Sequence, residues 1–163
     1  MILHAGLIAR FDPPVWRGVL IEGPSGSGKS DLALRAIDSG WALVADDRTL
    51  VWACDGRLYG RAADALGGLI EVRGLGVLSS PSRRFAELNL TVVCAEGLGL
   101  ERLPDDESAT WLGFGIPRVK LAALEASALA KLNRALTHLG LTPQRAYQAV
   151  RARVPSPGAG GVP

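Results

Sequence analysis

The stretch "GVLIEGPSGSGKSDLALRAI", residues 18–37, constrains the fold more than any other part of the chain. Residues 23–30 within it match Gly-x-x-x-x-Gly-Lys-Ser, between an apolar run that reads as a strand and a segment with helical spacing. In a strand–loop–helix setting, this spacing wraps backbone N–H groups around nucleotide phosphates. Gly23, Gly26 and Gly28 let the backbone turn through positive φ and approach an anion with no Cβ in the way. The positive end of the following helix adds to the attraction. The expected nucleotide-binding set is therefore Gly23, Pro24, Ser25, Gly26, Ser27, Gly28, Lys29 and Ser30, with Lys29 on the phosphate oxygens and the Ser30 hydroxyl on Mg²⁺. Lysine occurs elsewhere only at Lys120 and Lys131, so its place in the loop does not reflect abundance.

A chain of 163 residues is long enough for one domain with a real core. Its net charge of +2 gives no global pull toward nucleic acid or a membrane surface. No apolar run reaches the length of a transmembrane helix. The N-terminal "MILHAGLIARF" lacks a basic leader, so the expected location is the cytoplasm. Cys54 and Cys94 lie in apolar stretches and read as buried reduced thiols.

Pattern along the chain predicts the order of elements. "LHAGLIARF" reads as a strand, "DPPVWRG" (12–18) as a turn and "GVLIEG" as a short buried strand. Leu32, Ala33, Ala36 and Ile37 follow helical spacing, and Gly40 is placed to stop that helix. "WALVADD" (41–47) is a buried strand, and "RTLVWACDGRLYG" a hairpin. "GGLIEVRGLGVLSS" and "LNLTVVCAE" are further strand segments, while "ERLPDDESATW" reads as an exposed loop. A helical stripe of Leu129, Leu132, Leu136 and Leu139 starts from about Leu121 and ends at Gly140. A second helix is expected over 142–150, then a disordered tail over 153–163. The predicted class is α/β: one P-loop domain over 1–152, with a strand-rich mixed sheet and C-terminal helices.

Phosphoryl transfer also needs carboxylates, to hold Mg²⁺ or to take a proton. Asp46, Asp47, Glu71 and Glu96 are candidates because each lies near the end of an apolar strand segment. Two adjacent aspartates on a regular strand would point to opposite faces. Guanine recognition would need Asn-Lys-x-Asp, and neither Asn89 nor Asn133 lies in such a motif. The arginines of "SSPSRRF" (79–85) suit either a phosphate lid or a plain surface loop.

"GPSGSGKSDLAL", "LVADDRTLV" and "LIEVRGLGVL", in this order, resemble the HPr kinase/phosphorylase family. The third stretch is similar to that family's Glu-Ile/Val-Arg-Gly-Leu-Gly signature, and His4 in "LHAG" matches its histidine. The resemblance spans roughly residues 3–140 and is to the C-terminal catalytic domain alone. It implies a protein serine kinase that uses ATP and Mg²⁺ to phosphorylate the phosphocarrier protein HPr. Lys29 would contact phosphates, Ser30 and Glu71 would hold Mg²⁺, and Asp47 would be the general base. Asp46 would complete the metal and phosphate shell, and His4 would lie near the transferring phosphoryl group. Arg102 would stabilise charge, and Arg73 would orient its strand or touch phosphate. A homo-oligomer is implied as a possibility. The family's Pro-Gly-Arg-Asn turn is replaced by "GIPRVKLAAL", so the implied direction is kinase rather than phosphorylase. A small-metabolite kinase and a non-catalytic ATP sensor remain the rival readings.

Overall fold

A computed structural model describes residues 1–63, 67–95 and 107–140. The strands are β1 (Ile2–Leu3), β2 (Gly6–Asp12), β3 (Val15–Glu22), β4 (Ala42–Ala45), β5 (Thr49–Cys54), β6 (Arg57–Ala62), β7 (Leu69–Val72), β8 (Gly76–Ser79), β9 (Ala86–Cys94), β10 (Glu107–Trp111) and β11 (Phe114–Leu121). The helices are α1 (Lys29–Asp38) and α2 (Ala128–His138). Nine strands form one mixed sheet in the order β1-β5-β6-β9-β3-β2-β4, and β11 joins β9 with β10 at its side. The α/β class with a strand-rich mixed sheet is the one the sequence predicts.

Three strands run parallel at the centre. β9 pairs with β3 along most of its length, and with β11 from Thr91 to Cys94. β6 shares with β11 the edge of β9 that faces away from β3, and meets β9 only near its start, at Ala86 and Glu87. The C-terminal ends of β3, β9 and β11 therefore lie together, and the phosphate loop grows from β3, between β9 on one side and β2 on the other.

Both faces of the sheet are covered. Ile8, Val19, Ile21, Leu90 and Val92 face α1 and α2, which insert Leu32, Ala36, Leu132 and Leu136. Leu7, Leu20, Val51, Leu58 and Leu88 form a second core on the other face, where Trp16, Trp111 and Phe114 pack. Each fully buried leucine of this kind contributes roughly 1.5–3 kcal/mol. Leu88 and Leu90 would share a face on a regular strand. They do not, because Gly18 pairs with Leu88 and Val19 with Leu90, leaving Asn89 as the extra residue of a bulge.

Several expectations are corrected. "LHAGLIARF" is broken: β1 and β2 are separate strands with a bend at His4, since β1 pairs with β5 and β2 with β3. The turn at 12–18 shrinks to Pro13 and Pro14, which are joined by a cis peptide. Trp16 and Arg17 are instead ladder partners of Phe11 and Arg10. Residues 107–111 of the expected loop are strand β10, paired with β11 through a turn at Leu112 and Gly113. The final leucine stripe enters its helix only at Ala128. Cys54 is exposed, at the end of β5, and only Cys94 is buried. The expected helix over 142–150 and the tail lie outside the described residues.

Candidate functional site

The loop over residues 23–28 is shaped by its glycines, with φ of 141° at Gly23, 81° at Gly26 and 89° at Gly28. At Gly23 a side chain would strike fixed backbone, and at Gly28 the movable end of another side chain. A Cβ on Gly23 would lie 2.8 Å from the Cys94 carbonyl oxygen, and one on Gly28 would lie 2.8 Å from Leu124 Cδ2. Gly28 caps α1, and Lys29 and Ser30 form its first turn. Lys29 Nζ donates to the carbonyl oxygens of Gly23 and Pro24, each at 2.9 Å, so the ammonium lies over the loop. The Ser30 hydroxyl is on an exposed residue, free to meet an ion.

Register brings the carboxylates to the same end of the sheet. Gly6 pairs with Ile21 just before the loop, and Leu7 pairs with Ala45 just before Asp46. Asp46 thus lies two strand spacings, about 10 Å, to the side of the loop's root. A Cβ on Gly6 would lie 2.8 Å from the Asp46 carbonyl oxygen, so glycine is what lets β2 and the end of β4 approach. His4 is exposed in the bend two residues before Gly6, at the same sheet end.

β7 and β8 form a hairpin of their own, and Ile70 anchors it in the helix-side core. The hairpin reaches back to the aspartates: the Glu71 backbone N–H donates to Asp46 Oδ2 at 3.2 Å. Burial pushes the Asp46 carboxyl up from its ordinary range. The Glu71 N–H opposes that shift, and the charges of Asp47 and Glu71 add to it. Asp46, Asp47 and Glu71 line a cavity of about 200 Å³ together with residues 67–69 and Val77. β4 stops at Ala45, so the two aspartates follow the strand rather than alternate along it. Asp47 and Glu71 are exposed, and Asp46 is half-buried.

Among the described residues, no three His, Cys, Asp or Glu side chains are grouped to hold a metal by themselves. Ser30 with Glu71 would leave most positions of an ion to water and phosphate oxygens. Mg²⁺ is bound in that way in phosphoryl-transfer sites. Arg73 is exposed at the hairpin tip, while Glu96 and Arg102 lie outside the described residues.

Other expected cations are already engaged. Arg83 stacks over Trp16 at 4.7 Å. Arg118 pairs with Glu22 at 3.7 Å, and Lys120 with Glu107 at 2.6 Å.

Sequence reading missed the loop's other flank. Residues 24–27, Cys94, Ala95 and residues 122–125 enclose a second cavity of about 470 Å³. Burial pushes the Cys94 thiol up to about 11, against the attraction of Lys29. The segment 122–125 follows β11, and Arg35 of α1 holds it by donating to the carbonyl oxygens of Ala123 and Glu125. The i,i+4 spacing of Asp31 and Arg35 on a helix surface is the one sequence signal that bears on this flank.

Residues 3–85 match the family model described as the HPr Serine kinase C-terminal domain. The HPr kinase/phosphorylase of Streptococcus thermophilus is 37% identical over 117 residues, covering 64% of this chain and 38% of that protein. Its namesake from Streptococcus pyogenes serotype M1 is 35% identical over 116 residues, covering 64% and 37%. The chain thus matches well under half the length of these curated relatives. In structure it is similar to the Hpr(Ser) kinase/phosphatase from Coxiella burnetii. The TM-score is 0.74 and the identity 23%, covering 93% of this chain and 97% of that one. That likeness is one of fold.

Proposed function

Because the chain belongs to the HPr kinase C-terminal domain family, we propose that it is an ATP-dependent protein kinase acting on a serine of the phosphocarrier protein HPr. It would thereby regulate the phosphotransferase system and carbon and nitrogen metabolism. The observation that carries this reading is the shared sheet end. A glycine-shaped loop with Lys29 lies beside Asp46, Asp47 and Glu71, and those three line a cavity that an incoming hydroxyl could enter.

Residues 26–29 and the start of α1 would hold the phosphates through backbone N–H groups, with Lys29 on the terminal oxygens. The Ser30 hydroxyl and the Glu71 carboxylate would hold Mg²⁺. The residues would fit that ion: Ser30 and Glu71 are both exposed, and a cation near them would offset the charges of Asp47 and Glu71 that add to the burial of Asp46. Bound Mg²⁺ neutralises charge on the phosphate oxygens.

The acceptor serine oxygen forms its bond to the γ-phosphorus as the bond to the β–γ bridging oxygen breaks, and ADP leaves with that electron pair. The hydroxyl proton goes to a carboxylate oxygen of Asp47. Asp46 accepts from the Glu71 N–H, and His4, exposed at the same sheet end, would lie near the transferring group.

One incubation tests the reading: labelled ATP and Mg²⁺ with purified HPr, and with an HPr lacking its acceptor serine. Label is expected on the first protein alone. Label on a sugar or nucleoside with no protein added would replace this reading with a small-metabolite kinase. ATP bound without transfer to any acceptor would make the chain a sensor.

A further inference from the structure

The phosphate loop stands above β3, and the sheet offers it two dissimilar flanks. On the side of β2 and β4 lie the carboxylates and the 200 Å³ cavity. On the side of β9 and β11 lies the 470 Å³ cavity, whose far wall is the segment 122–125. Phosphates gathered by the loop leave the remainder of a nucleotide to depart along one flank. The carboxylate flank repels polyphosphate and is needed by the acceptor. The other flank is of ordinary size for a small-ligand site and is mostly apolar, with Cys94, Ala95, Ala122, Ala123 and Leu124 in its lining, and its carboxylate, Glu125, is paired with Lys131 at 2.5 Å.

We infer that this second cavity is the nucleoside subsite, holding the base and ribose of the nucleotide, with Leu124 as its principal apolar contact and Arg35 as the residue that positions the wall. The inference rests on the nucleotide reading above. Leu124 is 70% exposed, although it is a large apolar side chain at the rim of a cleft. It is seated against Gly28, so it borders the phosphate cradle itself. Ser27 Oγ, in the same lining, is buried and has no hydrogen-bond partner, which leaves a polar atom for the ribose or α-phosphate.

Arg35 explains why the wall is fixed. Its guanidinium is held by Asp31 at 2.7 Å and takes up the carbonyl oxygens of Ala123 and Glu125. A turn in which the Glu125 N–H donates to the Ala122 carbonyl completes the segment. The wall is thus tied to the same helix whose first turn bears Lys29 and Ser30. Base and phosphate contacts are held at a fixed spacing, which lowers the ordering cost of binding.

The test compares two probes, ATP and inorganic tripolyphosphate, by calorimetric titration of the wild-type chain, Leu124→Ser and Arg35→Met. Tripolyphosphate carries the phosphates without the nucleoside. Leu124→Ser is expected to weaken ATP about tenfold, the loss of one good apolar contact. Tripolyphosphate affinity is expected to stay within about twofold. Arg35→Met is expected to show the same split, because it loosens the wall and leaves the loop. Equal losses for both probes, or no loss for ATP, would overturn the subsite. A wild-type chain that binds neither probe would instead remove the nucleotide reading beneath it.

Discussion

The backbone N–H of Glu71 donates to Asp46 Oδ2 across 3.2 Å, joining the β7–β8 hairpin to the end of β4. The hairpin's strands pair with no strand of the large sheet. Its position is set by this bond, by the packing of Ile70 and Val72 in the core, and by the bonds that Leu43 of β4 makes to Pro81 and Arg83 just after β8. Asp46→Ala removes the acceptor while leaving the core intact. A hydrogen bond to a carboxylate contributes roughly 1.5–3 kcal/mol. Amide exchange at Glu71, followed by NMR, is expected to accelerate about tenfold or more. An unchanged rate would mean that core packing and the bonds to Leu43 hold the hairpin without Asp46.

Asp47 is exposed where Asp46 is half-buried, although the two are adjacent in sequence. The burial and the bond fit Asp46 to a structural task. The exposed neighbour is free to meet a proton donor from another protein. Asp47→Asn is expected to lower HPr phosphorylation by about 10²–10⁴-fold, the usual cost of a lost general base. ATP affinity should stay within about twofold, as the loop is untouched. Transfer at the wild-type rate would show that Asp47 is not the base.

Gly23 and Gly40 both have positive φ, at 141° and 94°, but their surroundings differ. A Cβ on Gly23 would meet Ser27 Oγ at 2.7 Å and the Cys94 backbone oxygen at 2.8 Å, while one on Gly40 would meet nothing within 4 Å. Gly40→Ala should therefore cost only backbone strain, about 1 kcal/mol. Gly23→Ala should cost about 2 kcal/mol or more, because a backbone oxygen cannot step aside. Denaturant unfolding measures both, and only Gly23→Ala should also weaken nucleotide binding.

The phosphate loop was legible because its function depends on backbone shape, and backbone shape is written in glycine spacing. The β5–β6 hairpin was legible for the same reason: Asp55 and Gly56 both adopt positive φ at its turn. What escaped were features set by partners distant in the chain. β11 contains Pro117, a poor strand residue. It is tolerated because pairing with β9 begins only at Arg118. The break at His4 follows from β1 choosing β5 rather than continuing beside β3. The wall at 122–125 joins the site only because β11 runs parallel to β9 and delivers it next to Gly28. No local pattern encodes that delivery.

Glu22 is the last residue of β3, one position before the loop, and it pairs with Arg118 at 3.7 Å. Burial raises its carboxyl above the ordinary range, and the opposing attraction of Arg118 does not cancel that rise. A carboxyl raised on folding binds its proton more tightly in the native state than in the unfolded chain. Between the unfolded and the native values the native state therefore holds more protons, and stability falls as pH rises. Glu22→Gln cannot ionise and removes this slope. The thermal midpoint of Glu22→Gln minus that of the wild type should accordingly increase from pH 4 to pH 7, with most of the change just above the ordinary glutamate range. A difference that decreases over this interval would mean that Arg118 stabilises the ionised form more than burial opposes it. The residue beneath the phosphate loop would then be a net ion pair rather than a carboxylate held at a cost.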